Sequence, residues 1–292
     1  MGIVLGPNRY GKAENRLVRV YRDTPRHRIH DINVSTTLRG DLAAAYVAGD
    51  QAKVLPTDTQ RNTVYAFAKE HGIGEIEEFA LLLGRHFVDD VEPVDGARIE
   101  IDEYAWHRID IDGAGHDHSF VRAGPEIRTT TVAVEDDSAW VVSGVKDLTM
   151  LKSTGSEFRE FLHDRYTTLP ETGDRVLATS LEVRWRYLRP DGDWAASYAG
   201  IRAILLERFA TVYSRALQQT LWEMGRGVLH QRPEVAEIRL SAPNRHHIAV
   251  DLTPFGLDNP NEVLYASDRP YGLIQASVLR DDAPLAGAAW DS

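Results

Sequence analysis

Four polar stretches of the chain carry side chains whose types and spacing suit chemistry. The first, Val54-Leu55-Pro56-Thr57-Asp58-Thr59-Gln60-Arg61-Asn62, stands just ahead of an apolar run at helical spacing. Thr57 and Gln60 have the separation of a capping box, and Asp58 would complement the positive helix end. Equally, a helix N-terminus flanked by Thr and Asp is a polar corner that attracts anions. The second stretch, Leu151-Lys152-Ser153-Thr154-Gly155-Ser156-Glu157-Phe158, repeats that spacing with Thr154 and Glu157, which predicts a short capped helix bearing Phe158, Phe161 and Leu162. Phe158 reads as core in one view and as a stacking platform in the other. The chain then runs through Tyr166-Thr167-Thr168-Leu169-Pro170 to Asp174-Arg175, placing Phe158, Leu169 and Arg175 in one turn-rich region, where functional groups concentrate. The third, Ala216-Leu217-Gln218-Gln219, reads as a helix start with Gln218 toward solvent. The fourth, Asn244-Arg245-His246-His247, follows Pro243 and reads as a loop between two strands, with a histidine as the natural proton carrier near neutral pH. His27, His30, His116 and His118 have no spacing that would complete a metal site around that pair.

These groups need elements to hold them. Residues 17–21 and 29–34 read as strands separated by a turn at Pro25. From Asn62 the period becomes helical, with Val64, Phe67 and Ala68 on one face and Gly72 as a stop. A second helix starts near Glu75, placing Ile76, Phe79, Ala80, Leu83 and Phe87 on one stripe. Strands return at 98–102, 119–121 and 127–134. The second half repeats the order. Glu182, Arg184 and Arg186 alternate with Leu181, Val183, Trp185 and Tyr187 as a half-buried strand. Ile201, Leu205, Phe209 and Val212 form one helical stripe, and Leu217, Leu221, Met224 and Val228 another, with a break predicted near 213–215. Strands at 235–241 and 248–252 close the unit. Strands, helices, then strands, twice over, predict an α+β fold with a duplicated antiparallel sheet; a parallel doubly wound fold would need strict alternation. An open sheet backed by helices exposes its edges, so oligomerisation is expected.

Composition narrows the function classes. A chain of 292 residues fits one large domain or two ordinary ones. Its 43% apolar, 26% charged and 9% aromatic residues are those of a globular protein, not a disordered one. The net charge of −11 disfavours a nucleic-acid partner, which needs a basic face. With no cysteine, disulfides, thiolate metal sites and a cysteine nucleophile are excluded. The chain has neither a Rossmann or Walker glycine loop nor an HExxH zinc helix. It has no apolar run of ~18 residues, no secretory h-region, no Ser or Thr at Gly6 for myristoylation, and it ends Trp290-Asp291-Ser292 rather than on a peroxisomal address. A soluble cytoplasmic protein without membrane contact is expected.

Asn8-Arg9-Tyr10-Gly11-Lys12, Leu55-Pro56-Thr57-Asp58, the run from Leu151 to Leu169, and Asn244-Arg245-His246 resemble the motifs of the urate oxidase (uricase) family, bacterial type. They follow the family's order and spacing along nearly the whole chain, and the Leu-Lys-Ser-Thr-Gly-Ser-Glu-Phe run is the most specific of them. The resemblance implies the tunnelling fold: two similar antiparallel-sheet halves, residues 1–138 and 139–292, with helices on one face, assembling into a homotetrameric barrel with sites at subunit interfaces. It implies oxidation of urate by dioxygen without metal or organic cofactor. Lys12, Thr57 and His246 match the family's proton-relay group, and Thr57 also contacts substrate. Arg175 and Gln218 match the pair that grips urate edgewise, Phe158 the ring stacked on it, and Asn244 the amide beside the oxygen pocket. Asp58, Leu169 and Leu217 match residues lining the purine site; the position of Leu217 is often held by another aliphatic residue in the family, a mild departure.

The chemistry of those residue types fits. Urate is a flat anion with a fork-shaped polar edge, which the planar guanidinium of Arg175 can meet with two donors while Gln218 donates and accepts. An aromatic face such as Phe158 stacks on such a ring for roughly 1–3 kcal/mol, by analogy with nucleobases. A lysine serves as a base only when its pKa falls well below ~10.4, and a Thr hydroxyl can relay the proton it moves. The rival readings are another tunnelling-fold enzyme acting on a purine or pterin, or a binding protein that kept the fold alone. The missing cysteine and the lack of a His–Glu ligand set weigh against the first. Joint retention of Lys12, Thr57, Asp58, Arg175, Gln218 and His246 weighs against the second.

Overall fold

Ile32, Val34, Thr36 and Leu38 alternate along one strand and are all buried, so this strand presents a single face to a core. It is β2, Arg28–Gly40, paired antiparallel with β1, Tyr10–Tyr21, on one side and β3, Val94–Ile111, on the other. Between β2 and β3 lie α1, Ala43–Ala48, α2, Thr57–Glu70, and α3, Ile76–Asp89. Next come β4, Ala114–Glu135, and β5, Ser138–Lys152. In the computed structural model, which describes residues 2–291, the chain divides into two compact units. The first is Met1–Gly144 with Arg186–Ala195 and Pro284–Ser292, and the second is Val145–Trp185 with Ala196–Ala283.

The first unit packs the apolar stripe of α3 on its sheet. Ile76, Phe79, Ala80, Leu83 and Phe87 are each at most 2% exposed and lie against β3 and β4. Gly84 marks the closest approach, because a Cβ there would stand 2.7 Å from Val134 Cγ2 on β4. The second unit builds the same arrangement from most of β6, Leu177–Tyr187, and of α4, Trp194–Thr211, with α5, Leu217–Gln231, β7, Val235–Ala249, and β8, Leu264–Leu279. Here Leu217, Leu221, Met224 and Val228 of α5 are buried, and α5 packs on β7 and β8. Gly225 plays the part of Gly84: its Cβ would stand 2.6 Å from Val278 Cγ2 on β8. Within each unit, neighbouring strands in the chain are neighbours in the sheet, from β1 to β5 and from β5 to β8. The α+β class with antiparallel pairing is as the sequence predicts.

Several boundaries differ from expectation. The predicted stretches 119–121 and 127–134 belong to one strand, β4, whose register against β3 shifts around Gly124-Pro125, where Gly124 has φ 86. The supposed loop at Asn244–His247 belongs to β7, whose pairing with β8 continues through Pro243. No helix forms at 157–162: Phe158 instead bridges Thr172, with mutual backbone bonds at 2.9 and 3.0 Å. The predicted break at 213–215 is present between α4 and α5.

Candidate active site

Lys12 lies on β1 opposite Thr36 of β2, and the register shifts immediately after it, between Lys12 and Asn15. A bulge there re-aims the neighbouring side chains. Glu14, at φ 54, occupies the shifted turn and donates its N–H to Ser35 Oγ. Thr36 Oγ1 donates to Gln60 Oε1 at 2.7 Å in the core, so the strand opposite Lys12 is tied to the first turn of α2. That corrects the capping-box reading. Pro56 is the N-cap, no side chain caps α2, and Gln60, fully buried, turns inward to β2 instead of back to Thr57. Thr57 is therefore the first residue of α2, half-buried, with its hydroxyl released from capping. Asp58 is exposed and holds its own helix, at 2.5 Å from Arg61 and 3.0 Å from Asn62.

In the second unit, the loop after β5 converges on the start of α5. Ser156 and Ser214 are both fully buried and paired in a parallel bridge, with Glu157 N–H donating to the Ser214 carbonyl at 2.9 Å and Ser214 N–H to the Gly155 carbonyl at 3.0 Å. Thr220 Oγ1 donates to Ser214 Oγ at 2.8 Å, locking this junction to the first turn of α5. Lys152 Nζ donates to the Val212 carbonyl at 2.6 Å beyond the end of α4, and burial lowers the pKa of its ammonium. Thr154, also expected to cap, donates to Asp174 at 2.8 Å instead.

Arg175 is held at this junction. Its backbone N–H donates to the Ser156 carbonyl at 2.9 Å and its Nε–H to Ser156 Oγ at 3.2 Å. Its Cζ lies 5.3 Å from the centre of the Phe158 ring, within cation–π range. Burial lowers the guanidinium pKa from its ordinary value. Phe158 stacks on Phe161 at 4.7 Å and 15°, and Phe161 on His163 at 4.8 Å and 19°. Leu217 is buried as the first residue of α5 and Gln218 is exposed as the second, beside Gln219, whose Oε1 accepts the Arg215 N–H. Leu169 is 58% exposed on the outer part of the loop. Asn244 and His246 are half-buried on β7 and, like Lys12, flank a register shift.

Phe158, Arg175, Leu217 and Gln218 thus gather around one loop-to-helix junction, while Leu169 stands outside it. Lys12 and Thr57 meet β2 and α2 in the first unit. A pocket of about 80 Å³ in the first unit, lined by Leu38, Ala97 and Ala133 together with Arg39, Arg98 and Glu135, contains none of the candidate residues. Sequence reasoning missed Ser156, Ser214 and Thr220, since a buried serine inside a polar run carries no periodic signal. Among the described residues, no group of three or more His, Asp or Glu is arranged to hold a metal ion.

Duplicated strand–helix–strand units of antiparallel strands, with polar groups at bulges and helix starts, define an α+β protein of the tunnelling-fold type. A family model described as Uricase matches residues 8–133 and 141–275. A uricase of Arthrobacter globiformis is 51% identical over 99% of this chain and 94% of its own, and one of Dictyostelium discoideum is 35% identical over 95% and 98%. The crystal structure of the Arthrobacter globiformis uricase superposes with a TM-score of 0.94 at 52% identity, covering 98% of both chains. That of a Bacillus fastidious uricase gives 0.83 at 25% identity, covering 96% of each. The chain belongs to the uricase family.

Proposed function

We propose that the chain oxidises uric acid with dioxygen and water to 5-hydroxyisourate and hydrogen peroxide, in purine catabolism, using neither metal nor organic cofactor. Urate gives up two electrons, dioxygen takes them with two protons and leaves as peroxide, and water supplies the hydroxyl. In a chain of this family, the observation that carries the reading is the Arg175 guanidinium fixed beside Phe158 at the start of α5. That arrangement offers a planar fork for the polar edge of a flat anion, a ring for its face, and Gln218 for the same edge.

Lys12, Thr57 and His246 form the proton relay in this reading, with Asn244 beside the oxygen pocket and Asp58, Leu169 and Leu217 lining the purine site. Support comes from the register shifts beside Lys12 and His246 and from the Thr57 hydroxyl being free of capping. The protein works as a cytoplasmic homotetramer closed into a barrel, with each site at a subunit interface. Tyr265, Tyr271, Leu273 and Leu279 of β8, each more than half exposed, and Val18 of β1 are apolar surface that such assembly would cover. The repeat boundary at 138/139 is supported by the two matched segments, 8–133 and 141–275. No helix among the described residues is long and apolar enough to cross a membrane.

The test follows urate absorbance and oxygen uptake together, using protein stripped by prolonged chelation. Equimolar loss of urate and oxygen with full retention of activity is expected. Inactivity restored by one added divalent metal would overturn the cofactor-free reading, and the absence of urate loss with or without metal would overturn the function itself.

A further inference from the structure

The geometry points to Ser156 as the positioning residue that sets the Arg175 guanidinium in register with Gln218. The inference rests on the reading above, in which those two side chains grip the substrate. Ser156 is fully buried and holds Arg175 twice, accepting its backbone N–H at the carbonyl and its Nε–H at Oγ. The second bond decides which part of the guanidinium faces outward. With Nε–H taken, the two terminal nitrogens form the fork that remains for a ligand, and rotation about the last side-chain torsions is stopped. The same residue is anchored to the other half of the grip. Ser156 bridges Ser214 in parallel, and Ser214 is held by Thr220 of α5, the helix whose second residue is Gln218. One buried serine therefore stands between Arg175 and the helix start that carries Gln218, and its hydroxyl holds Nε of the arginine while the Phe158 ring lies against Cζ. A ligand edge recognised from two sides gains from having both sides set before it arrives, since ordering a mobile side chain on binding subtracts from affinity.

Anaerobic urate binding, read from the absorbance change, separates affinity from turnover. Ser156→Ala should weaken binding by about ten-fold and raise KM in parallel, with kcat within about three-fold of the parent and the thermal midpoint little changed. Ser156→Thr, which keeps the hydroxyl, should recover most of the affinity, and it serves as the working variant if the alanine protein does not fold. Arg175→Lys is measured beside them, alone and combined with Ser156→Ala. If Ser156 acts through Arg175, the serine change adds nothing once the guanidinium is gone. Normal affinity in Arg175→Lys would overturn the gripping reading. A weakened Arg175→Lys with normal affinity in Ser156→Ala, or fully additive losses in the double variant, would overturn the positioning role and leave the gripping reading intact.

Discussion

Four of the five N–H donors of the Arg175 guanidinium are left once Nε–H is committed to Ser156 Oγ, and the terminal pair are coplanar and parallel. A lysine keeps the charge but offers a single ammonium point. Arg175→Lys should therefore raise KM for urate roughly 10–100-fold, the loss expected when a charged hydrogen bond worth about 1.5–3 kcal/mol is removed. A variant with near-parental KM would remove Arg175 from substrate binding. Lys12 makes the opposite prediction. In the proposed relay its loss should fall on the chemical step, so Lys12→Met should cut kcat by ~10²–10⁴-fold while KM barely moves. A sharp rise in KM at constant kcat would make it a binding residue. Much of this site was legible as residue types. The types at 57, 158, 175 and 218 suit a flat anion, but the roles proposed for them come from family resemblance. What the sequence could not show was the partner of each side chain. The Thr57–Gln60 spacing is that of a capping box, yet Gln60 belongs to Thr36 on a strand that local spacing cannot see.

Elements whose apolar residues fell on one helical face were legible for the same reason that they are stable. The stripe of α3 is read directly from Ile76, Phe79, Ala80, Leu83 and Phe87, all buried. By contrast β8 left no period, because Val278 is its one buried residue, and β5 buries five successive positions, 141–145, so it does not alternate. Sequence also hid the charge cluster beneath α3. Glu77 is fully buried, with Oε2 2.7 Å from Arg128 Nη2 and Oε1 accepting the Ser143 hydroxyl at 2.5 Å, and Arg128 also meets Glu75 at 2.7 Å. Burial raises the Glu77 pKa, although Arg128 and Ser143 pull it down. A carboxyl with a raised pKa in the folded state contributes stability that is complete below its unfolded value, ~4.5, and is lost as pH rises through the folded value. Relative to the parent, Glu77→Gln should therefore gain thermal midpoint as pH is raised from about 4.5 toward neutrality. An unchanging or reversed difference across that range would mean that Glu77 stays ionised in the fold. Glu77→Ala should cost about 3 kcal/mol at neutral pH, because it strands Ser143 and unbalances Arg128.

At the scale of the whole molecule, the candidate groups fall on different units, with Lys12, Thr57 and Asp58 in the first and Phe158, Arg175 and Gln218 in the second. In the proposed assembly a site takes the first set from one chain and the second from its neighbour, and mixing tests this. A two-fold interface repeats one patch on both chains, so each interface carries two equivalent sites. Suppose Lys12→Met and Arg175→Ala proteins are unfolded, combined in equal amounts and reassembled. In a mixed pair, one site receives both defects and the other receives neither. Random pairing makes half of the interfaces mixed, so roughly a quarter of all sites should be intact. Two nearly dead proteins should then recover about a quarter of parental activity, provided that sites act independently. A control mixture of each variant with itself, carried through the same cycle, should stay dead. Light scattering and mass spectrometry of differentially tagged chains would establish that hybrids have formed. Hybrids that are present but inactive would place Lys12 and Arg175 of each site in the same chain.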